Sequence, residues 1–327
     1  MVPFAYAAAT APEAAMARAA RSGGAEYIAG GTDMLQLLQE GVRSPRELID
    51  IGALPWKSID VSPDALRIGA LVTMADLADD ARVKERCPVV SEALLASASP
   101  QVRNMATIGG NLLQRTRCLY FRDTATPCNK RAPGSGCPAR DGQNRMNAIL
   151  GGSAHCIAAY PGDLAVALVA VEAEVEVLGP RGQRTLPVEQ LHRLPTDKPD
   201  VETVLERGEL ISAIVIPDRP FARRSHYLKV RDRASFEFAL ASAAVALDVE
   251  RDTIKAARVA VGGVATKPWR LTEVERALGG QRVDAQTFHA AAARAGEGAE
   301  LRPGNAFKLE LMRRTVERAL LTVGGVA

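Results

Sequence analysis

Four of the five cysteines in this 327-residue chain lie within one stretch punctuated by glycine and proline. Cys118, Cys128, Cys137 and Cys156 follow the spacing C-x9-C-x8-C-x18-C. An iron–sulfur cluster is held by four thiolates, which can come from wider spacings. Structural zinc usually uses closely spaced cysteine pairs, and disulfides are typical of small secreted domains. The pattern favours a cluster in a long ordered loop rather than a helix or strand, with zinc, disulfides or free thiols as alternatives.

The charge of this stretch supports the cluster. Between Gln101 and Arg145, eight basic residues stand against Asp123 and Asp141, which makes a local charge of +6 on a chain whose total is +3. The basic residues are Arg103, Arg115, Arg117, Arg122, Lys130, Arg131, Arg140 and Arg145. A cluster with four thiolate ligands is anionic, so nearby cations stabilise it. The remaining Cys87 lies in an apolar segment and is expected to be a small buried hydrophobe.

Two glycine pairs have the chemistry of a phosphate cradle. The first, in residues 30–33 (GGTD), follows a short apolar strand and precedes a helical pattern at Met34–Glu40. The second lies in residues 107–111 (TIGGN). Glycine permits close approach of the backbone, and free N–H groups at a helix start point toward an anion. One such loop is also compatible with an ordinary β-to-α turn, but two in one domain predict a phosphate-bearing cofactor.

Asp163 is a further candidate for cofactor contact. It precedes an apolar helical segment, Leu164–Val171. Its carboxylate could bind a ribose hydroxyl or cap that helix, and both interpretations stay open. The histidines are scattered and are expected at surface or capping positions rather than in a metal site. They are His155, His192, His226 and His289.

The pattern of elements predicts an α+β chain. Residues 1–55 suggest a small βαβ-rich unit, and residues 56–220 a larger one that contains the cysteine loop at 112–157. Residues 221–327 suggest a separate α+β domain with an antiparallel sheet and helices on one face. Its predicted strands are His226–Val230, Ala239–Val249 and Ala256–Gly262, and its predicted helices are Leu271–Leu278, Ala285–Ala295 and Asn305–Leu321.

Composition argues against several classes of function. A mild net charge of +3 does not indicate a nucleic-acid binder. No apolar run is long enough to predict a membrane span. The N-terminal segment lacks the charged and apolar regions of a signal peptide, so the chain on its own is expected to stay in the cytoplasm.

Four motifs together resemble the FAD-binding (medium) subunit of the xanthine oxidase, or molybdenum hydroxylase, family. They are AGGTD at 29–33, ATIGGN at 106–111, YPGD at 160–163 and YLKVRDRASFEFAL at 227–240. The segments QRTRC, PCNKR and PGSGC, with Cys156 beyond them, resemble the branch that contains the FAD and 4Fe-4S subunit of periplasmic aldehyde oxidoreductase. The resemblance spans the whole chain, and most members of the family lack the cysteine loop.

This resemblance implies a two-subdomain FAD-binding (PCMH-type) fold followed by an α+β C-terminal domain, with the four loop cysteines as ligands of the 4Fe-4S cluster. The residues implied to contact FAD are Ile28, Ala29, Gly30, Gly31, Thr32, Asp33, Met34, Thr107, Gly110, Asn111, Asp163, Ile211 and Lys229. Lys229 would stabilise the reduced, anionic flavin, and Ile211 would form an apolar wall. Asparagine is also compatible with position 33, so Asp33 is expected to act through its backbone alone.

The function implied is electron transfer within a heterotrimeric aldehyde oxidoreductase. A large subunit with a molybdenum cofactor would oxidise an aldehyde to a carboxylate, and a small 2Fe-2S subunit would relay the electrons to FAD on this chain. The chain would then pass them to an external acceptor. Periplasmic location is expected through co-export with a signal-bearing partner. The alternatives are the flavin/4Fe-4S subunit of an enzyme like 4-hydroxybenzoyl-CoA reductase, and a zinc-stabilised scaffold without redox turnover.

Overall fold

The computed structural model describes residues 2–326 of the chain, in which strands and helices are mixed along the sequence. The strands are β1 (Ala5–Ala8), β2 (Ala25–Ile28), β3 (Glu47–Asp50), β4 (Ile59–Val61), β5 (Ala65–Gly69), β6 (Glu174–Gly179), β7 (Gly182–Pro187), β8 (Leu210–Pro217), β9 (Ser225–Val230), β10 (Ala241–Glu250), β11 (Thr253–Gly262) and β12 (Trp269–Arg270). The helices are α1 (Pro12–Arg21), α2 (Met34–Gln39), α3 (Met74–Asp79), α4 (Ala81–Arg86), α5 (Pro88–Ala96), α6 (Pro100–Met105), α7 (Ile108–Leu112), α8 (Leu119–Arg122), α9 (Asp163–Ala170), α10 (Val188–Leu191), α11 (Pro220–Arg223), α12 (Thr272–Leu278), α13 (Ala285–Ala292) and α14 (Phe307–Gly324), with a 3-10 turn at Pro138–Arg140. None of the helices in this described part has the length and apolar character that crossing a membrane requires.

The first sheet is small and parallel, with the strand order β1-β3-β2. Parallel strands need crossover connections, and α1 and α2 provide them. Pro12 occupies the first turn of α1, where a backbone N–H has no partner within the helix, so proline removes no hydrogen bond there. Ala15 and Ala19 of that helix share a core with Ile49 of β3. The carboxyl end of β2 leads directly into the glycine loop at 29–33, so this sheet positions that loop.

The second sheet is antiparallel, with the strand order β4-β5-β8-β6-β7. Ile68, Ile214 and Val175 from its central strands pack in the largest core together with α5 and α9. Every residue of α9 is buried, because its sequence DLAVALVA is apolar on all sides after the first position. This complete burial fixes the position of Asp163, the first residue of the helix.

The third sheet is antiparallel, with the strand order β12-β11-β10-β9. Successive side chains of a strand point to opposite faces, so β10 contributes to two cores. Ala244 and Ala246 lie in the core around α9, whereas Val245 and Leu247 lie in the core formed with α12, α13 and α14. The α+β class with an antiparallel sheet and helices at the C-terminus is therefore confirmed.

The cysteine-rich segment at 112–157 contains two short helical turns, which corrects the expectation of a loop free of helix. The Cys118 carbonyl accepts the N–H groups of Phe121 and Arg122, so α8 begins immediately after that cysteine. The 3-10 turn follows Cys137 in the same way. Elsewhere the segment is irregular, as its glycines and prolines predict.

Candidate cofactor-binding site

A cleft of about 750 Å³ is lined by the two glycine loops, the start of α9 and strand β9. All thirteen residues that the sequence predicts to contact FAD line this one cleft. They are Ile28, Ala29, Gly30, Gly31, Thr32, Asp33, Met34, Thr107, Gly110, Asn111, Asp163, Ile211 and Lys229. The fold therefore brings together five segments that lie far apart in the chain, since Ile211 comes from β8.

The first glycine loop depends on its glycines for two different reasons. Gly31 has a φ of +71°, in the left-handed region that favours glycine. A Cβ atom on Gly30 would lie 1.8 Å from the carbonyl oxygen of Met105, which precedes the second loop. At Gly30 the two loops therefore approach each other closely, and contact of this loop with a phosphate stays a prediction.

The second glycine loop presents its groups to the cleft. Thr107 caps α7 by accepting the N–H of Gly110 on its hydroxyl at 3.3 Å. A Cβ atom on Gly110 would meet only that hydroxyl, at 3.0 Å, and otherwise open space. The side-chain oxygen of Asn111 is buried and has no hydrogen-bond partner within residues 2–326. An unpartnered acceptor on a residue that lines a cleft of this size fits a polar cofactor such as FAD, whose hydroxyl groups can donate to it.

The side chain of Asp33 is engaged by other residues of the chain, and contact of Asp33 with FAD through its backbone alone stays a prediction. Its Oδ1 accepts from the Arg122 guanidinium at 2.8 Å and from Arg117, and its Oδ2 accepts from the Arg115 backbone N–H at 2.8 Å. Burial raises the pKa of this carboxyl, and the Arg115 N–H and the arginine charges oppose that rise. The side chain thus ties the first glycine loop to the beginning of the cysteine segment. The basic residues of that segment were visible in the sequence, but their partner was not.

Asp163 and Lys229 meet at a buried ion pair on the wall of the cleft. The Lys229 ammonium donates to Asp163 Oδ2 at 2.8 Å, and the two side chains are only 3% and 5% exposed. Tyr227 lies two residues before Lys229 on β9 and so projects from the same face. Its hydroxyl donates to Asp163 Oδ1 at 2.6 Å, and the Ser97 hydroxyl donates to Oδ2 at 2.7 Å. Burial and then the Asp163 charge raise the pKa of Tyr227 well above its usual range, so the phenol remains a donor.

These contacts decide between the two interpretations of Asp163 in part. The cap residue of α9 is Gly162, and the Asp163 side chain makes no capping hydrogen bond, so the capping interpretation is wrong. Its position in the first turn still favours a negative charge, because the helix macrodipole is positive there. Contact with a ribose stays a prediction.

Residues 233–238 form a rim of the cleft that sequence reasoning did not single out, although they lie inside the motif at 227–240. Phe236 is exposed and has a φ of +52°. Phe238 lies under the guanidinium of Arg117, 5.0 Å from ring centroid to carbon. The rim therefore contacts the cysteine segment through a cation–π pair.

The four loop cysteines line a second, small cavity. They are Cys118, Cys128, Cys137 and Cys156. Their sulfurs receive N–H groups: the Ala158 backbone donates to Cys156 at 3.4 Å and the Asn147 amide donates to Cys118 at 3.5 Å. Hydrogen bonds to sulfur are one of the features that tune thiolate-held clusters.

All five cysteines lie in the described part of the chain, and none of them forms a disulfide there. Burial raises the pKa of the Cys156 thiol to about 12, with the charge of Lys130 opposing the rise. Within residues 2–326, no group of three or more His, Cys, Asp or Glu side chains is arranged to hold a single metal ion. Cys87 is buried in the main core with its thiol pKa raised to about 12 by burial, and the prediction of a buried hydrophobe is confirmed.

A third cavity, of about 40 Å³, lies between the other two. It shares Leu113 and Gln114 with the large cleft, and Lys130 and Ala158 with the cysteine cavity. His192 lines it, and the expectation that this histidine lies at the surface or caps a helix is wrong. Its Nε2 is 2.9 Å from the Leu112 carbonyl oxygen, while its buried Nδ1 has no partner in the described residues.

Two family models match the chain, one after the other. Residues 2–219 match the family described as the FAD binding domain in molybdopterin dehydrogenase, and residues 226–323 match the CO dehydrogenase flavoprotein C-terminal domain. The chain belongs to the family of FAD-binding subunits of the molybdenum hydroxylases, which are oxidoreductases. The resemblance to the xanthine oxidase family is therefore confirmed.

Individual relatives extend the match over nearly the full length. The chain is 44% identical over 323 residues to the FAD-binding subunit of an aldehyde oxidoreductase from Escherichia coli, with 98% of each chain covered. It is 28% identical to the medium chain of carbon monoxide dehydrogenase from Hydrogenophaga pseudoflava, covering 90% of this chain and 88% of the other.

Solved structures share the fold. Carbon monoxide dehydrogenase from Hydrogenophaga pseudoflava superimposes with a TM-score of 0.77 at 26% identity, covering 99% of both chains. Quinoline 2-oxidoreductase from Pseudomonas putida has a TM-score of 0.78 at 23% identity, covering 99% of this chain and 98% of the other. The second likeness is one of fold.

Proposed function

We propose that the chain is the FAD and 4Fe-4S electron-transfer subunit of a heterotrimeric, molybdenum-dependent aldehyde oxidoreductase. The observation that carries the proposal is the convergence of Cys118, Cys128, Cys137 and Cys156 on one cavity beside the cleft that fits FAD. The 44% identity to an aldehyde oxidoreductase subunit supports the aldehyde as substrate class.

Different residues of the chain would hold the two redox groups. FAD would supply redox chemistry between the partner subunits and an external acceptor. The glycine loops would offer backbone N–H groups to its phosphates, and Lys229 supplies a fixed positive charge at the cleft wall. The four cysteines would hold the cluster as thiolates, and the N–H groups of Ala158 and Asn147 donate to the sulfurs of Cys156 and Cys118.

Partners complete the proposed enzyme. A large subunit with the molybdenum cofactor would oxidise the aldehyde to a carboxylate, and a small 2Fe-2S subunit would pass the electrons to this chain. We propose periplasmic location by co-export with a partner that carries the export signal. Expression with and without that partner, followed by fractionation, tests this; export of the chain expressed alone would contradict it.

The cluster is tested by metal analysis of the protein purified without oxygen. We expect about four irons and four sulfides per chain, one FAD, and an EPR signal at low temperature after reduction. Serine at any of the four cavity cysteines should lose the iron and expose residues 112–157 to proteolysis, because metal binding fixes such loops. Cys87→Ser is the matched control and should keep both iron and FAD. Stoichiometric zinc, or disulfides among these cysteines, would overturn the assignment.

The aldehyde chemistry is tested separately on the purified complex. We expect reduction of an external acceptor when aldehydes are supplied, with flavin bleaching that requires the partner subunits. A complex that reduces its flavin with an aromatic acyl-CoA couple and not with aldehydes would overturn the substrate class while leaving the cofactor assignment standing.

A further inference from the structure

One carboxylate, Glu202, is shared by two cations in the wall between the cofactor sites. The Lys130 ammonium is 2.9 Å from Glu202 Oε1, and the Arg115 guanidinium pairs with Glu202 Oε2. The side chains of Lys130, Arg115 and Glu202 are 9%, 11% and 24% exposed. These three charges are therefore largely removed from solvent, where their fields are screened less than at the surface.

The two cations belong to different cavities. Arg115 lines the FAD cleft, and its backbone N–H donates to Asp33 in the first glycine loop. Lys130 lines the cysteine cavity together with the four cysteines. Glu202 lines the small cavity between the two sites. The ion-pair chain Arg115–Glu202–Lys130 thus runs from one cofactor site to the other.

Burial of these charges does not by itself indicate a stabilising role. Burying charges costs solvation free energy that their attraction only partly returns, so a buried ion pair is weak evidence of a stabilising role. Lys130 is also fixed at a second point, because its ammonium donates to the Pro199 carbonyl at 2.8 Å. A cation fixed in this way beside cluster ligands has an electrostatic effect on the cluster, since local charge sets the potential of such centres.

We infer that Lys130 and Glu202 set the reduction potential of the centre held by the cysteines. Lys130 favours the reduced form, which carries one more negative charge, and Glu202 acts as a positioning residue that holds Lys130 and offsets part of its charge. Arg115 joins this pair to the FAD loop. The inference rests on the proposed function, because it needs a redox-active cluster at the cysteines.

The test is an EPR-monitored redox titration of the purified holoenzyme and three variants. Lys130→Gln removes the cation and should lower the cluster potential, whereas Glu202→Gln removes the anion and should raise it. Each variant should shift the cluster potential by at least about 28 mV. A shift of this size corresponds to a threefold change in the ratio of reduced to oxidised cluster, because a one-electron couple changes by about 59 mV per tenfold change. Lys198→Gln removes an equal charge at an exposed position, four residues before Glu202, and should leave the potential unchanged.

Potential shifts of opposite sign in Lys130→Gln and Glu202→Gln would distinguish an electrostatic role from a structural one, because damage to the cluster loop would shift the potential of both variants in the same direction. Equal shifts in both variants, or no shift in either, with iron and FAD retained, would overturn this inference and leave the proposed function intact. Absence of iron from the unmodified protein would overturn both. If Glu202→Gln does not fold, Lys130→Gln and Lys130→Arg decide: the arginine variant should restore the potential that the glutamine variant loses.

Discussion

Asp163 Oδ2 and Lys229 Nζ lie 2.8 Å apart in the wall of the FAD cleft, buried on both sides. One residue begins the central buried helix α9, and the other lies on the edge strand β9 of the C-terminal sheet. The pair therefore joins the segment matched by the FAD-binding domain model to the one matched by the C-terminal domain model. It also holds the lysine charge at one fixed place on the cleft wall.

This geometry predicts opposite effects of removing either partner on the flavin. Lys229→Ala should make FAD harder to reduce, by about 1–3 kcal/mol, because a positive charge near the reduced, anionic flavin is lost. Asp163→Asn should make it easier to reduce, because the lysine charge is then no longer offset. Spectroelectrochemical titration of the flavin measures both. Lys255→Ala, at an exposed position on β11, is the control, and a flavin potential that Lys229→Ala leaves unchanged would contradict the prediction.

Two glycine substitutions should have different consequences. Gly30→Ala places a Cβ atom 1.8 Å from the Met105 carbonyl oxygen, so the two loops must separate, and we expect loss of both FAD and thermal stability. Gly110→Ala meets only the Thr107 hydroxyl, and the methyl group projects into the cleft, so the fold should survive while FAD affinity falls. The ratio of flavin to protein absorbance and the Tm measure the two effects. Full FAD occupancy in Gly30→Ala would refute the packing argument.

Asp33→Asn should loosen the cysteine segment from the FAD loop. The carboxylate accepts three charged or backbone donors, and an amide cannot replace the ion pairs with Arg117 and Arg122. We expect a loss of about 2–3 kcal/mol in the free energy of unfolding and faster proteolysis within residues 112–157. Glu40→Gln is the matched control, since Glu40 pairs with the same Arg122 but is more exposed and should cost less than about 1 kcal/mol. Equal effects of the two substitutions would be inconsistent with this role.

Because His192 is buried, we expect the free energy of unfolding to fall in acid. Burial lowers its pKa to about 4 in the folded chain, below the ordinary value of 6.5. Between these values the unfolded chain binds the additional proton, so the free energy of unfolding rises with pH across this window. From pH 7 to pH 4 the contribution that is lost amounts to about 3 kcal/mol. Urea unfolding at several pH values should show a smaller slope for His192→Gln, whereas the exposed His289→Gln should behave like the unmodified chain.

Local patterns were sufficient to locate the candidate residues. Each glycine loop lies within a few positions of regular elements, so a short window of sequence is enough to recognise it. The burial of Cys87 can likewise be predicted from its apolar neighbours. The cysteine spacing drew attention to four residues that line one cavity, and the cluster itself stays a prediction. Such features depend on backbone preferences and on the chemistry of the side chains themselves, which are properties of each segment.

Other features depended on which distant segments meet. Asp33 pairs with a segment about 80 residues further along the chain. Asp163 pairs with Lys229 on β9, a strand of the C-terminal sheet. Gly30 is required because Met105 packs against it, and His192 is buried because α7 and Tyr160 cover it. Propensity and periodicity report only on neighbours along the chain, whereas these contacts follow from the packing of α9 and three sheets into common cores. The sequence by itself determined which chemical groups are present and in which segments they lie. Only the tertiary structure decided which of these groups form ion pairs, hydrogen bonds and close contacts with one another.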